Sequence, residues 1–223
     1  MAFNDLLVTE IFHSLQGETS TTGLRYAFIR LTGCNLRCSY CDTSYAFKGG
    51  KKMTLDEVLE TVFTYNVKNV LLTGGEPLLQ RQTLPLILKL KDKGYEVSVE
   101  THGEVSIEKV SPHARIIMDI KTPSSKMCRE GFRKNFKFLK KSDEVKFVIG
   151  SEEDYFWSKK QIKDLPEIRE TLFSPALAAS GSPQKIKPIS PQWLAEQIIK
   201  DKLNVRFQLQ LHKQIWGQNT KGV

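Results

Sequence analysis

The stretch Asn69-Val70-Leu71-Leu72-Thr73-Gly74-Gly75-Glu76-Pro77 sets a continuous apolar run of strand length directly against two glycines, an acid and a proline. A short run of this kind, stopped by turn residues, reads as a buried strand. Outward from it the period changes. On the N-terminal side Thr54-Leu55-Asp56-Glu57 has capping-box spacing, and Leu55, Val58, Leu59, Val62 and Phe63 follow a helical repeat. On the C-terminal side a helix over 82–92 is stopped at Gly94, a strand covers 96–100, a short helix lies near 106–111 and a strand covers 115–119. A further helix, with Phe132, Phe136 and Leu139 on one face, precedes a strand over 144–149. Such alternation predicts an α/β fold of mostly parallel strands joined by crossover helices.

The flanks are less regular. Residues 5–12 and 25–31 read as strands around a polar loop, and 151–189, with Pro166, Pro175, Pro183 and Pro188, reads as an irregular segment. Ser190-Pro191 has the form of an N-cap followed by proline at the first helical position, with Trp193, Leu194 and Ile198 toward the core. A last strand covers 205–209. One domain over 1–223 is expected from the length.

Composition sets the class. The chain is 40% hydrophobic and 26% charged, as in ordinary globular proteins. It has no apolar run of membrane-span length and no basic-then-apolar leader, so a cytoplasmic protein without a membrane partner is expected. The net charge of +8 suggests anionic partners, but the lysines are scattered without an arginine-rich or aromatic-interleaved run. A solvated basic surface is the simpler reading, and no nucleic-acid partner is expected. Three clustered cysteines and a remote Cys128 make no disulfide framework and point to metal or redox chemistry.

Polar residues gather where the strands end. Gly33-Cys34-Asn35-Leu36-Arg37-Cys38-Ser39-Tyr40-Cys41-Asp42-Thr43 follows strand 25–31, Gly74-Gly75-Glu76 follows the next, Glu100-Thr101 ends the third, Lys121 follows the fourth, and His212 lies beyond the last. In α/β sheets and barrels, sites are assembled from loops at the carboxyl ends of strands. Cys34, Cys38 and Cys41 place three sulfur ligands on one loop, enough for three corners of a soft metal cluster with one position open. A closed zinc site would need a fourth ligand, Cys128 or a histidine. Glycines let backbone approach a ligand closely, and Glu76 is placed to accept from an ammonium group. His13 and His113 read as core histidines satisfied by backbone.

The cysteine spacing followed by Thr73-Gly74-Gly75-Glu76-Pro77 resembles the radical S-adenosylmethionine superfamily. The resemblance implies an incomplete TIM-like barrel and a [4Fe–4S] cluster on Cys34, Cys38 and Cys41, whose free iron binds S-adenosylmethionine and whose electron cleaves it to a 5′-deoxyadenosyl radical. Implied cofactor contacts are Tyr40 beside the adenine, Cys41, Asp42, Gly75, Glu76 at the methionyl amine, and Glu100, Asp119 and Lys121 on the ribose and carboxylate side. No side chain is implied as catalytic, because the cofactor carries the radical chemistry.

Glu10-Ile11-Phe12-His13-Ser14-Leu15-Gln16-Gly17-Glu18, Arg30, Cys41-Asp42-Thr43 and Gln210-Leu211-His212-Lys213-Gln214-Ile215-Trp216-Gly217 narrow the resemblance, nearly end to end, to the 7-carboxy-7-deazaguanine synthase family. That family's reaction takes 6-carboxy-5,6,7,8-tetrahydropterin to 7-carboxy-7-deazaguanine with loss of ammonia, by hydrogen abstraction at C6 and ring contraction. S-adenosylmethionine is regenerated. Implied substrate contacts are Leu15, Gln16, Gly17 and Glu18 on a loop over 13–24, with Arg30, Thr73, His212 and Val223. An amide and a carboxylate suit the mixed donors and acceptors of a pterin edge, and arginine offers a fork to a carboxylate. Thr43, on the cluster loop 33–43, matches a position that ligates Mg²⁺ together with substrate oxygen. His102 stands where the family often has asparagine. A flavodoxin- or ferredoxin-like electron donor and a homodimer are also implied. Two alternatives stay open, namely a glycyl-radical activase of the same superfamily and a basic zinc-binding module acting on nucleic acid.

Overall fold

The computed structural model describes residues 5–176, 188–218 and 220–223. Among them nine strands form one sheet: β1 Asp5–Leu15, β2 Arg25–Leu31, β3 Lys51–Thr54, β4 Asn69–Gly74, β5 Glu96–Thr101, β6 Arg115–Ile120, β7 Glu144–Ile149, β8 Glu170–Pro175 and β9 Arg206–Phe207. Their order is β3-β1-β2-β4-β5-β6-β7-β8-β9. Every pair from β2 onward in that order is parallel, whereas β1 is antiparallel to both β2 and β3. The edge strands β3 and β9 do not pair with each other, so the barrel is incomplete. The helices are α1 Leu55–Thr64, α2 Thr83–Asp92, α3 Glu152–Gln161, α4 Pro191–Lys200 and α5 Leu211–Trp216.

Strand alternation divides the sheet into two chemically different faces. Ala27, Ile29 and Leu31 of β2, Val70 and Leu72 of β4, Ile116, Met118 and Ile120 of β6, and Val145, Phe147 and Ile149 of β7 pack with Val58, Leu86, Leu90, Tyr155 and Leu194 of the helices. Each larger aliphatic buried there contributes about 1.5–3 kcal/mol, so this helix-covered face carries most of the apolar stabilisation. The intervening residues Tyr26, Phe28, Leu71 and Ile117 join Phe12 in a separate small cluster on the other face. β1 serves both faces through an irregularity in its register between Val8 and Glu10. Leu6 and Val8 lie in the large core, while Phe12, of the same parity, lies in the small cluster. A bulge reverses side-chain parity in this way.

Local signals explain most elements. Thr54 Oγ1 accepts from Glu57 N, and Glu57 Oε2 accepts from Thr54 N, which starts α1. Ser190 Oγ accepts from Trp193 N at the start of α4. Several expectations need correction. Residues 106–111 form turns, although Ile107 and Val110 are buried, and the element carrying Phe132 is a 3-10 helix, Gly131–Phe138. The segment 151–189 contains α3 and β8, and its residues 177–187 lie outside the described ones. α3 escapes an apolar-period reading because three of its four buried positions are the polar Asp154, Ser158 and Gln161. Strand 205–209 shrinks to Arg206–Phe207, because Gln208 turns aside to bond the 13–24 loop. His13 is exposed, stacked on Tyr65, and accepts from Arg25 Nε, so it is no core histidine.

Candidate active site

A cavity of about 630 Å³ opens on the sheet face opposite α1 to α4, at the carboxyl ends of the parallel strands. Phe12 and Phe28, stacked at 4.8 Å, and Leu71 form part of its apolar lining. Five cations (Arg30, Lys121, Lys146, Lys213, Lys221) and four carboxylates (Glu18, Asp42, Glu100, Asp119) share the rest, so the near-neutral site suits zwitterionic or mixed-polarity ligands.

The cysteine loop over 33–43 is held by backbone on two sides. Gly33 N donates to Ala46 O at 2.8 Å, Glu76 N donates to Gly33 O at 2.7 Å, and Gly75 N donates to Leu31 O at 3.1 Å. A Cβ on Gly75 would overlap the Gly33 carbonyl and Cys34 Cβ, so this glycine is required by the approach of the cysteine loop itself. On the other side Ser39 N donates to Ser125 O at 2.9 Å and Tyr40 Oη contacts Thr122 Oγ1 at 3.1 Å. Cys34, Cys38 and Cys41 all line the cavity, and Cys128 does not. Burial raises all three loop thiols, Cys41 to about 11, so a metal must displace their protons on binding. Among the described residues no three His, Cys, Asp or Glu side chains are already gathered into a metal site. The fit therefore rests on the donor set: three thiols on one loop facing one cavity, with Cys128 outside the lining of that cavity.

The 13–24 loop is closed on itself and clamped from the C-terminal part of the chain. Gln16 N donates to Leu24 O, and Gly23 N to Gln16 O, both at 2.8 Å. Gln208 accepts from Thr19 N at 2.7 Å and donates to Thr19 O at 2.9 Å. Leu211 N, opening α5, donates to Gly17 O at 2.9 Å, and a Cβ on Gly17 would run into the His212 ring. Leu15, Gln16, Gly17, Glu18 and His212 thus reach the cavity together. Gln16 Nε2 is buried there without a protein partner, as is Asp119 Oδ1.

Charged residues are paired across elements. Arg30 Nε donates to Glu10 Oε1 at 2.7 Å, as does Tyr45 Oη at 2.8 Å. Lys213 Nζ donates to Asp42 Oδ2 at 2.6 Å, and Thr43 Oγ1 to Asp42 Oδ1 at 2.9 Å. Lys121 Nζ lies 2.9 Å from Asp119 Oδ2, and Thr73 Oγ1 donates to Glu100 Oε2 at 3.0 Å.

Of the residues singled out in the sequence, Tyr40, Asp42, Thr43, Thr73, Gly75, Glu100, Asp119, Lys121 and Val223 also line the cavity, whereas Glu76 does not. Its carboxylate is fully buried and accepts from Leu78 N at 3.0 Å, Thr101 Oγ1 at 2.9 Å and His102 N at 2.9 Å. Burial drives it up to about 7 against the pull of those donors. His102, lowered to about 4 by burial and Lys121, is neutral at ordinary pH. Its Nδ1 accepts from Glu104 N at 3.0 Å, which leaves the ring proton on Nε2 to donate to Asn35 Oδ1 at 2.8 Å. The histidine thus ties the cluster loop to the end of β5. Lys146 and Tyr45 went unrecognised in the sequence, and Gln210 and Lys213 stood there only within the stretch that carries the resemblance, with no contact assigned to them. For Lys146 the available signal was its alternation with core residues Val145 and Phe147, which puts a lysine on the inner face of a central strand.

Comparison with known proteins agrees with this geometry. The profile of the Radical SAM superfamily matches residues 28–148. The 7-carboxy-7-deazaguanine synthase of Chlorobaculum tepidum is 39% identical over 223 residues, covering 98% of this chain and 97% of that protein. The enzyme of that name from Thermoplasma acidophilum is 37% identical over 214 residues, covering 95% and 98%. The crystal structure of QueE from Escherichia coli shares the fold with a TM-score of 0.72 at 21% identity, over 93% of this chain and 95% of that one. Streptococcus suis SuiB bound to S-adenosylmethionine gives a TM-score of 0.59 at 15% identity, over 79% and 48%. By descent as well as by the arrangement of its cysteine loop, the chain belongs to the 7-carboxy-7-deazaguanine synthase family of the radical SAM superfamily.

Proposed function

We propose that this chain converts 6-carboxy-5,6,7,8-tetrahydropterin to 7-carboxy-7-deazaguanine and ammonia, a carbon–nitrogen lyase step toward queuosine and related 7-deazapurines. The observation that carries the reading is the meeting of the three-cysteine loop and the Gln16, Gly17 and Glu18 segment on one cavity. A [4Fe–4S] cluster on Cys34, Cys38 and Cys41 with S-adenosylmethionine supplies, when bound, the one-electron chemistry that removes the C6 hydrogen. The chain's residues bind and orient. Gln16 Nε2 donates to a pterin acceptor, and the Glu18 carboxylate accepts from the ring N–H and amino donors. Arg30, anchored to Glu10 through Nε, turns its remaining N–H groups to the substrate carboxylate. Tyr40, fixed by Thr122, offers a face to adenine, and Asp119 Oδ1 accepts from a ribose hydroxyl. Thr43 and the substrate carboxylate provide hard oxygen ligands for Mg²⁺. An external one-electron donor of the flavodoxin or ferredoxin kind completes the system, and the working form is a homodimer. No helix among the described residues is long and apolar enough to cross a membrane.

Anaerobic reconstitution with iron, sulfide, S-adenosylmethionine, a reductant, Mg²⁺ and the carboxytetrahydropterin tests the reading. The expected result is 7-carboxy-7-deazaguanine, identified by mass spectrometry, with matching ammonia. Cleavage to 5′-deoxyadenosine without that product would overturn the substrate assignment and leave the superfamily assignment standing.

A further inference from the structure

Lys146 lies at the centre of the cavity's charge network, yet neither the cluster contacts nor the substrate contacts described above use it. β7 turns its side chain to the cavity face, where it is 5% exposed. The ammonium meets Glu18 Oε2 of the substrate loop at 2.5 Å, Glu100 Oε1 of β5 at 2.6 Å and Asp119 Oδ2 of β6 at 3.3 Å. Carboxylates from three elements therefore converge on one buried cation. Each has a second anchor: Gln210 Nε2 donates to Glu18 Oε1 at 2.6 Å, Thr73 Oγ1 to Glu100 Oε2, and Lys121 Nζ lies against Asp119 Oδ2.

A purely structural ion cluster satisfies its polar atoms internally. This one does not. Asp119 Oδ1 is left without a partner, and so is Gln16 Nε2, whose own amide oxygen accepts from Glu18 N at 3.2 Å. Both residues line the cavity. The network is thus complete on the protein side and open on the ligand side.

The charges facing Lys146 and its partners are Glu18 from the loop, Glu100 from β5, Asp119 from β6, Lys121 just after that strand, and His212 from α5. A buried carboxylate deprived of its cation takes up a proton. Burial alone pushes Glu18 upward, but Lys146, His212 and the hydrogen bonds from Lys146 and Gln210 outweigh it and hold the carboxyl at about 2. Burial likewise works against the Lys146 ammonium, yet Asp119, Glu100 and Glu18 keep it well above its ordinary value. It is too weak an acid to release a proton during turnover, and so behaves as a fixed charge.

We infer that Lys146 is a positioning residue that holds Glu18 as an ordered carboxylate toward the N–H donors of the pterin, and so selects a donor-rich heterocycle. This rests on the pterin reading given above. The test is binding of 6-carboxypterin to the reconstituted enzyme by anaerobic calorimetry, for wild type, Lys146→Met and Lys146→Arg. Wild type is expected to bind with an affinity that is flat between about pH 5 and pH 7. Lys146→Met should bind about tenfold more weakly at pH 7 and lose more as pH falls, because the carboxylates protonate without their cation. Lys146→Arg should restore the flat profile at reduced affinity, since the charge returns with a different geometry. Iron content stays at the wild-type level in both variants. Wild-type affinity and a flat profile in Lys146→Met would overturn the assignment. Should that variant not fold, a wild-type affinity that falls across the ordinary carboxylate range, or Lys146→Arg binding as tightly as wild type, would overturn it instead. Wild-type enzyme that binds no carboxypterin would overturn the substrate reading, and the role of Lys146 with it.

Discussion

Cys38→Ala is expected to abolish cluster assembly, taking bound iron from about four per chain to a small fraction of one, while Cys128→Ala retains the full complement. Cys38 is the most buried of the three loop thiols and lines the cavity between Cys34 and Cys41, so two sulfurs on a loop with no other soft ligand cannot hold the cubane. Cys128 lies outside that cavity. Iron and sulfide analysis of anaerobically reconstituted protein, with the visible absorbance of the cluster, checks both variants. Retention of iron in Cys38→Ala, or its loss in Cys128→Ala, would bring Cys128 back as a metal ligand.

Glu76→Ala should cost on the order of 3 kcal/mol or more, because the Leu78 and His102 amides and the Thr101 hydroxyl lose their acceptor at a fully buried position. Against a total stability of about 5–15 kcal/mol that is a large fraction. Glu76→Gln keeps one carbonyl acceptor and should cost less than half as much. Urea denaturation at constant m-value measures both. The expected pattern belongs to a residue that fastens the turn after β4 to the end of β5, behind the cavity wall. Wild-type stability in Glu76→Ala, with selective loss of S-adenosylmethionine binding, would instead make Glu76 a direct cofactor contact.

Much of this arrangement was legible in the residues. The apolar run of β4 and the capping box of α1 are local signals, and the structure keeps both. Residues at successive strand ends, from Cys34 through Gly75 and Glu100 to Lys121, meet because parallel strands all open their carboxyl ends to the same side. What remained hidden depends on contacts between distant segments. α3 buries polar side chains: Asp154 accepts from Ser124 N and Gly150 N, so its inward face has no apolar period. α5 is six residues long and is placed by its bond to Gly17, about two hundred residues earlier in the chain. Alternation with Val145 and Phe147 sets Lys146 on the face opposite the large core, and its meaning appears only when Glu18, Glu100 and Asp119 are brought around it. Glu76, expected at the methionyl amine of the cofactor, also has a role that its place beside two glycines does not reveal: it fastens the turn after β4 to the end of β5.

Turnover with S-adenosylmethionine kept scarce relative to carboxytetrahydropterin is the most direct test of a cavity that holds cofactor and pterin together. The expected result is many molecules of 7-carboxy-7-deazaguanine for each S-adenosylmethionine supplied, with little 5′-deoxyadenosine, because a closely held pterin returns the hydrogen. One 5′-deoxyadenosine released per turnover, or no deazaguanine at all, would contradict it.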